Sequence, residues 1–296
     1  MSLDLAADRF ATLTFERKVA APCATLFAAW TAPAARAVWA PPAPGVTVEF
    51  LEADSRVGGR EVSLCKVAGE PDIRVEAGWL EIQPNQVSVN YEVVSREAVV
   101  QSAALVTAGF VAEGEESRIS VTVQLSSLAA DMEQGYRQGF DAGVTNLAGV
   151  AERTMVLERV IRAPVATVWG AWMNAESLPK WWGPDGFSCR TSRIDLREGG
   201  EWVFDMIGPD GTVFPNHHRY GRVIPEARIE YALLWGENGP KHADAWAAFD
   251  DLGGATKVTL GMVMSTREEW QNAKGFGAEK LGLQTLGKLA RIIGAE

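Results

Sequence analysis

Two α+β domains in tandem are predicted, each a curved antiparallel sheet of about seven strands wrapped around one long C-terminal helix. Three observations lead there. Motifs recur in one order along both halves of the chain. The predicted strands follow one another through short hairpin turns, which makes the sheets antiparallel. In each half only the last helix is long enough to cover a sheet's apolar face.

The repeat is read first because it sets the domain count. Glu16-Arg17 and Ala21-Pro22 match Glu158-Arg159 and Ala163-Pro164 at a constant offset. Ala29-Trp30 matches Ala171-Trp172, and Trp39 matches Trp181, at that same offset. Gly58-Gly59 matches Gly199-Gly200, and the stretch from Gly143 to Leu147 matches that from Gly282 to Leu286. Domains over 1–151 and 152–296 follow, joined near Ala151.

The first copy opens with a strand over 12–19, and Ala21-Pro22 then starts a helix, since proline suits a first helical turn. Leu26, Phe27 and Trp30 form its apolar stripe. A short second helix precedes Trp39 and stops at Pro41-Pro42, because proline cannot continue a helix. Strands are expected over 46–52, 60–67, 73–82, 87–94, 99–111 and 117–125, with turns at Gly58-Gly59, Gly69-Glu70-Pro71, Pro84-Asn85 and Glu113-Gly114. A closing helix covers 131–150, with Asp131 and Gln134 in capping-box spacing. Gly135, Gly139 and Gly143 share one face of it, which suits close contact with the sheet or room for a ligand.

The second copy repeats the order. A strand over 154–162 leads to a helix at Pro164, whose Val165, Val168, Trp169 and Trp172 share a buried face. Another short helix ends at Trp181-Trp182. Strands are expected over 188–196, 201–207, 212–224, 228–235, 243–250 and 257–264. One last helix runs to Ile293, with Ser265/Glu268 and Thr266/Glu269 both in capping-box spacing.

Composition narrows the function. A formal charge of −10 with no basic run opposes nucleic-acid and anionic-membrane partners. No apolar run approaches a membrane span, and Met1-Ser2-Leu3-Asp4 lacks the features of a signal peptide, so a cytoplasmic protein is expected. Cys23, Cys65 and Cys189 are isolated, and three histidines do not assemble a zinc site, so neither metal nor cofactor is expected. There is no Ser/His/Asp or Cys/His grouping, no GxGxxG and no P-loop, and no catalytic residue is assigned.

Tryptophan is abundant, at 11 residues, and its placement marks the candidate site. Trp202, Phe204 and Met206 alternate on one strand and so face the helix together. Trp235 and Trp246 on later strands are candidates for the same wall, and Phe276 for the helix side. Indole N–H groups there would orient a polar group of a ligand. Trp181 and Trp182 read as a lid over the sheet edge. His217 and His218 are neighbours on a strand, so only one faces inward, and Tyr220 shares the face of His218.

These motifs resemble one family. Arg162-Ala-Pro-Val-Ala-Thr-Val-Trp169, Lys180-Trp-Trp-Gly-Pro184, Gly199-Gly-Glu-Trp-Val-Phe-Asp-Met206 and Gly208-Pro-Asp-Gly211 occur in the order seen in homologues of the heat-shock-protein-90 ATPase activator. That family is a branch of the START-like (Bet v 1-like, SRPBCC) superfamily. The resemblance covers nearly all of 154–293. The first copy is looser: it has Trp39-Ala-Pro-Pro, no Pro-Asp-Gly turn, and Gly58-Gly59 without the following tryptophan. The resemblance implies the helix-grip fold and a cavity that in this superfamily often takes hydrophobic small molecules. Binding of a small, largely apolar ligand, mainly in the second domain, is the leading expectation. A stress-response or chaperone-partner module, and a cyclase- or hydrolase-like enzyme using a cavity His or Tyr, are the alternatives.

Overall fold

The computed structural model describes residues 9–129 and 131–295. The chain divides into two compact units, Met1–Glu152 and Arg153–Glu296. The first contains β1 (Phe10–Val19), α1 (Cys23–Thr31), α2 (Pro33–Trp39), β2 (Val46–Ala53), β3 (Arg60–Val67), β4 (Ile73–Gln83), β5 (Val87–Arg96), β6 (Val99–Glu113), β7 (Glu116–Ser127) and α3 (Met132–Ala151). The second contains β8 (Thr154–Ile161), α4 (Val165–Trp172), α5 (Leu178–Trp181), β9 (Ser188–Ile194), β10 (Glu201–Ile207), β11 (Val213–Ile224), β12 (Arg228–Trp235), β13 (Lys241–Asp251), β14 (Thr256–Met264), α6 (Arg267–Gly275) and α7 (Ala278–Ile292).

Each unit has a seven-stranded antiparallel sheet, in the orders β1-β7-β6-β5-β4-β3-β2 and β8-β14-β13-β12-β11-β10-β9. The strands after the first are successive hairpins, and the first strand closes onto the last. The two strands flanking the short helices therefore lie at opposite edges. The pair α1–α2, or α4–α5, carries the chain from one edge to the other across the helix-covered face. The long helix completes the grip. α3 packs on β1, β7 and both short helices, and α7 packs on β8 and α5.

Local sequence explains the element ends. Pro22 and Pro164 stand one residue ahead of their helices, each with its carbonyl accepting the first helical bond, from Leu26 and Val168. Thr266 caps α6 by accepting from the Glu269 amide at 3.1 Å. Asp131 departs from the expectation: it sits in the left-handed region at φ 71° and its side chain makes no cap bond. The last helix also departs from it. A single run to Ile293 is expected, but Gly277 adopts φ +76° and splits it into α6 and α7. Gly282 on α7 is a close approach, since a Cβ there would overlap Leu157 of β8. In α3 a Cβ at Gly143 would touch only the Trp39 ring at 3.6 Å, and at Gly135 or Gly139 it would meet nothing within 4 Å.

Candidate functional site

The inner face of the second sheet is set by register. Trp202 stands opposite His218, His218 opposite Leu233, Tyr220 opposite Tyr231, and Tyr231 opposite Ala245. These side chains therefore point the same way, toward α4, α5 and α7. Ala243, Ala245 and Ala247 make the β13 part of this face small, while β10 and β11 make theirs large and aromatic.

His218 is at the centre. Its ring meets Trp182, Trp202 and Phe204 edge-on at centroid distances of 5.2, 5.3 and 5.1 Å, and stacks on Tyr231 at 5.1 Å. Burial, reinforced by His242 and His217, pushes the imidazole down to about 3, so it is neutral at physiological pH. Burial also raises the Tyr220 and Tyr231 phenols, which stay protonated. Among the described residues none hydrogen-bonds the His218 ring or these two hydroxyls. The aromatic core of the second unit thus holds three neutral groups able to donate or accept.

The tryptophans serve differently from the expectation. The Trp202 indole donates to Thr191 Oγ1 at 3.1 Å, and the Trp181 indole to the Ala171 carbonyl at 3.1 Å. Both N–H groups are used within the fold. Trp181 is fully buried and packs edge-on against Trp172 at 4.9 Å, so it is a core residue and not an outer lid. Trp182, half-buried, reaches inward between Trp172, Trp202 and His218. Phe204 stacks on Trp202 at 3.7 Å, and Met206 lies beside Gly183.

Four expected site residues lie away from this cluster. His217 points to the opposite face, where its Nε2 and Glu201 Oε2 are 2.8 Å apart and Arg193 bridges Glu201 to Glu237. Trp246 also takes that face, one position on from inward Ala245, and its ring lies over Gly261. Trp235 has the right parity, but at the strand end it is 50% exposed and stacks on His242 at 4.0 Å. Phe276 is 63% exposed at the break between α6 and α7. Strand parity separates His217 from His218 in advance. It also separates Trp246 from Trp235, but only once the register is known.

Two contributors were missed. Tyr231 alternates with Leu233 on β12, a pattern that marks an inward face. Lys288 on α7 donates to the carbonyls of Pro184 and Phe187 at 3.3 and 3.0 Å. With the Arg291–Asp185 ion pair and a 3.3 Å bond from the Asp185 amide to Gln284, it clamps the Gly183–Phe187 turn to α7. Cys189 donates to the Trp182 carbonyl at 3.4 Å, and burial pushes its thiol up to about 12, which leaves it unreactive. No helix of the described residues is long and apolar enough to cross a membrane.

The chain resembles several solved bacterial structures. An uncharacterised protein from Rhizobium leguminosarum is 29% identical over 49% of this chain and 95% of its own, with a TM-score of 0.44. The protein Mll3558 of Rhizobium loti is 28% identical over 47% of this chain and 96% of its own, with a TM-score of 0.43. The di-domain ARO/CYC protein BexL of the BE-7585A biosynthetic pathway spans 97% of this chain and 99% of its own, at 18% identity and a TM-score of 0.39. None of the curated proteins matches. The family described as activator of Hsp90 ATPase homolog 1-like protein matches twice, over residues 20–152 and 162–294. The chain belongs to that family, with one family domain in each half.

Proposed function

We propose that the second domain binds a small, largely apolar molecule with a polar group at one end, held between the inner face of its sheet and α7. The observation that carries this is the cluster of His218, Tyr220 and Tyr231. All three are at most 5% exposed, and among the described residues none of their polar side-chain atoms has a hydrogen-bond partner. These polar atoms are not fully enclosed, so each still offers a reachable donor or acceptor within an otherwise aromatic wall. A ligand hydroxyl or carbonyl would meet them, and the aromatic rings around His218 would take its apolar body.

The test is a tryptophan-fluorescence titration of the full chain with 1-naphthol. Saturable quenching is expected, weakened about tenfold by His218→Leu, as for loss of one hydrogen bond in an apolar site. Ala245→Phe fills the small-residue side of the proposed site and should abolish it. Quenching that survives Ala245→Phe in a folded variant overturns the reading.

The family description also supports a chaperone-partner reading. An exposed Trp181-Trp182 pair would serve such docking, but Trp181 is buried. A cyclase- or hydrolase-like use of the site would draw on the same His218 and tyrosines. Both readings therefore stand behind binding.

A further inference from the structure

The interior of the first unit differs from that of the second in charge. Equivalent positions follow from shared backbone bonds. Gly58 and Gly59 bond Trp79 as Gly199 and Gly200 bond Tyr220, so Trp79 and Tyr220 correspond. Trp79 stands opposite Asn90 as Tyr220 stands opposite Tyr231. Counting from these pairs, Glu61 takes the place of Trp202, and Glu92 that of Leu233. On the short helices, Arg36 takes the place of Leu178. Three apolar residues of one core are thus charged in the other.

These groups are assembled, not scattered. Glu61 is 3% exposed and ion-pairs with Arg36. Ser55 Oγ donates to its other oxygen at 3.2 Å. The Arg36 guanidinium lies 5.0 Å from the Phe50 ring and 5.5 Å from the Trp79 ring. On the same inner face, Glu92 receives a 3.3 Å bond from Asn90 Nδ2. Ser102 Oγ donates to the Tyr136 hydroxyl of α3 at 3.4 Å. Arg36 and Glu61 neutralise each other, so among the described residues Glu92 is the carboxyl of this interior left without a cation in direct contact. Burial raises the Glu92 carboxyl, although Arg36 opposes the rise. Glu92 is surrounded by protein yet keeps accessible surface. A second, independent observation is the Trp79 indole N–H, which is buried without a partner, on a side chain 2% exposed. Beside this interior, a hollow of about 320 Å³ opens at the start of α3, lined by Ser127, Asp131, Met132 and Glu133 among others. Ser127 stands opposite Ser102 in the sheet, and Met132 lies one helical turn before Tyr136.

We propose that the interior of the first unit is a separate binding site, for a small organic ammonium ion that also carries an oxygen acceptor. The ammonium would pair with Glu92 and the oxygen would accept from Trp79. The rings of Trp79 and Tyr136 would take the carbon skeleton. At the mouth Glu133 is paired with Arg137, which leaves Asp131 as the net charge and favours a cation over an anion.

The experiment is calorimetric titration of the full chain with 2-amino-1-phenylethanol, against 2-phenylethylamine, 1-phenylethanol and mandelate. The amino alcohol is expected to bind tightest and mandelate not at all. Glu92→Gln, nearly isosteric, should weaken the amino alcohol at least tenfold. Trp79→Phe should reduce the amino alcohol to the affinity of 2-phenylethylamine. His218→Leu, in the other unit, should change nothing. The proposal is overturned if 1-phenylethanol binds as well as the amines, if Glu92→Gln leaves the affinity intact, if His218→Leu is the variant that abolishes binding, or if no amine binds the folded wild-type chain.

Discussion

Lys288 of α7 donates to the Phe187 carbonyl at 3.0 Å, tying the turn after the paired tryptophans to the C-terminal helix. Its stem is partly buried and burial lowers its ammonium, so the bond stands in a low-dielectric setting where it counts for more. Lys288→Met keeps the stem and removes both carbonyl contacts. A loss of about 1–2 kcal/mol is expected by urea unfolding. Faster amide exchange should appear over residues 183–187, with β13 and β14 unchanged.

Stability should fall as the solution is acidified, through His218. Its folded value near 3 lies below the ordinary 6.5, so the unfolded chain binds the extra proton between them. Stability is therefore complete above about pH 6.5 and lost progressively toward pH 3, by about 2 kcal/mol at pH 5 for this group alone. His242, pushed down to about 4 by burial, adds in the same direction. Thermal unfolding of His218→Gln should show a shallower slope between pH 7 and 5. An unchanged slope would remove His218 as its source.

Arg36→Met should cost about 3–5 kcal/mol, because it strands the buried Glu61 carboxylate. Arg36→Met combined with Glu61→Leu should recover most of that loss, since the pair is replaced by apolar volume. Denaturant melts of the two variants decide it. If the double variant is no better than the single, the interaction is not chiefly electrostatic.

Gly261→Ala should destabilise the second unit by about 1–3 kcal/mol through overpacking. A Cβ there would overlap the rigid, 2% exposed Trp246 ring. Adding Trp246→Leu should relieve most of the effect in a thermal melt.

Much of the fold was legible because period-two alternation, glycine turns and helix-starting prolines are local signals, and the repeat doubled each of them. The break at Gly277 was not, since one glycine in a helix-like pattern reads equally as a close contact, which is the role Gly282 has. Within the site, Trp202 and Phe204 follow from alternation alone, whereas alternation puts only one of His217 and His218 inside without choosing between them. Trp246 and Tyr231 were misjudged or missed because facing depends on cross-strand register, which lies between segments distant in sequence. The charged interior of the first unit was hidden for another reason. Arg36, Glu61 and Glu92 look like ordinary surface charges until the sheet and α2 bring them under one roof.

The pairing of β1 with β7 has a consequence for synthesis. Phe10 meets Ser126 and Val19 meets Ser117, so the first strand made must wait for the last strand of its unit. The β8–β14 pair imposes the same delay downstream. Contacts this distant along the chain slow folding, because loop closure precedes any gain. A nascent chain halted after β6 therefore exposes an unpaired β1, and release of each unit from that state comes only when its final strand leaves the ribosome.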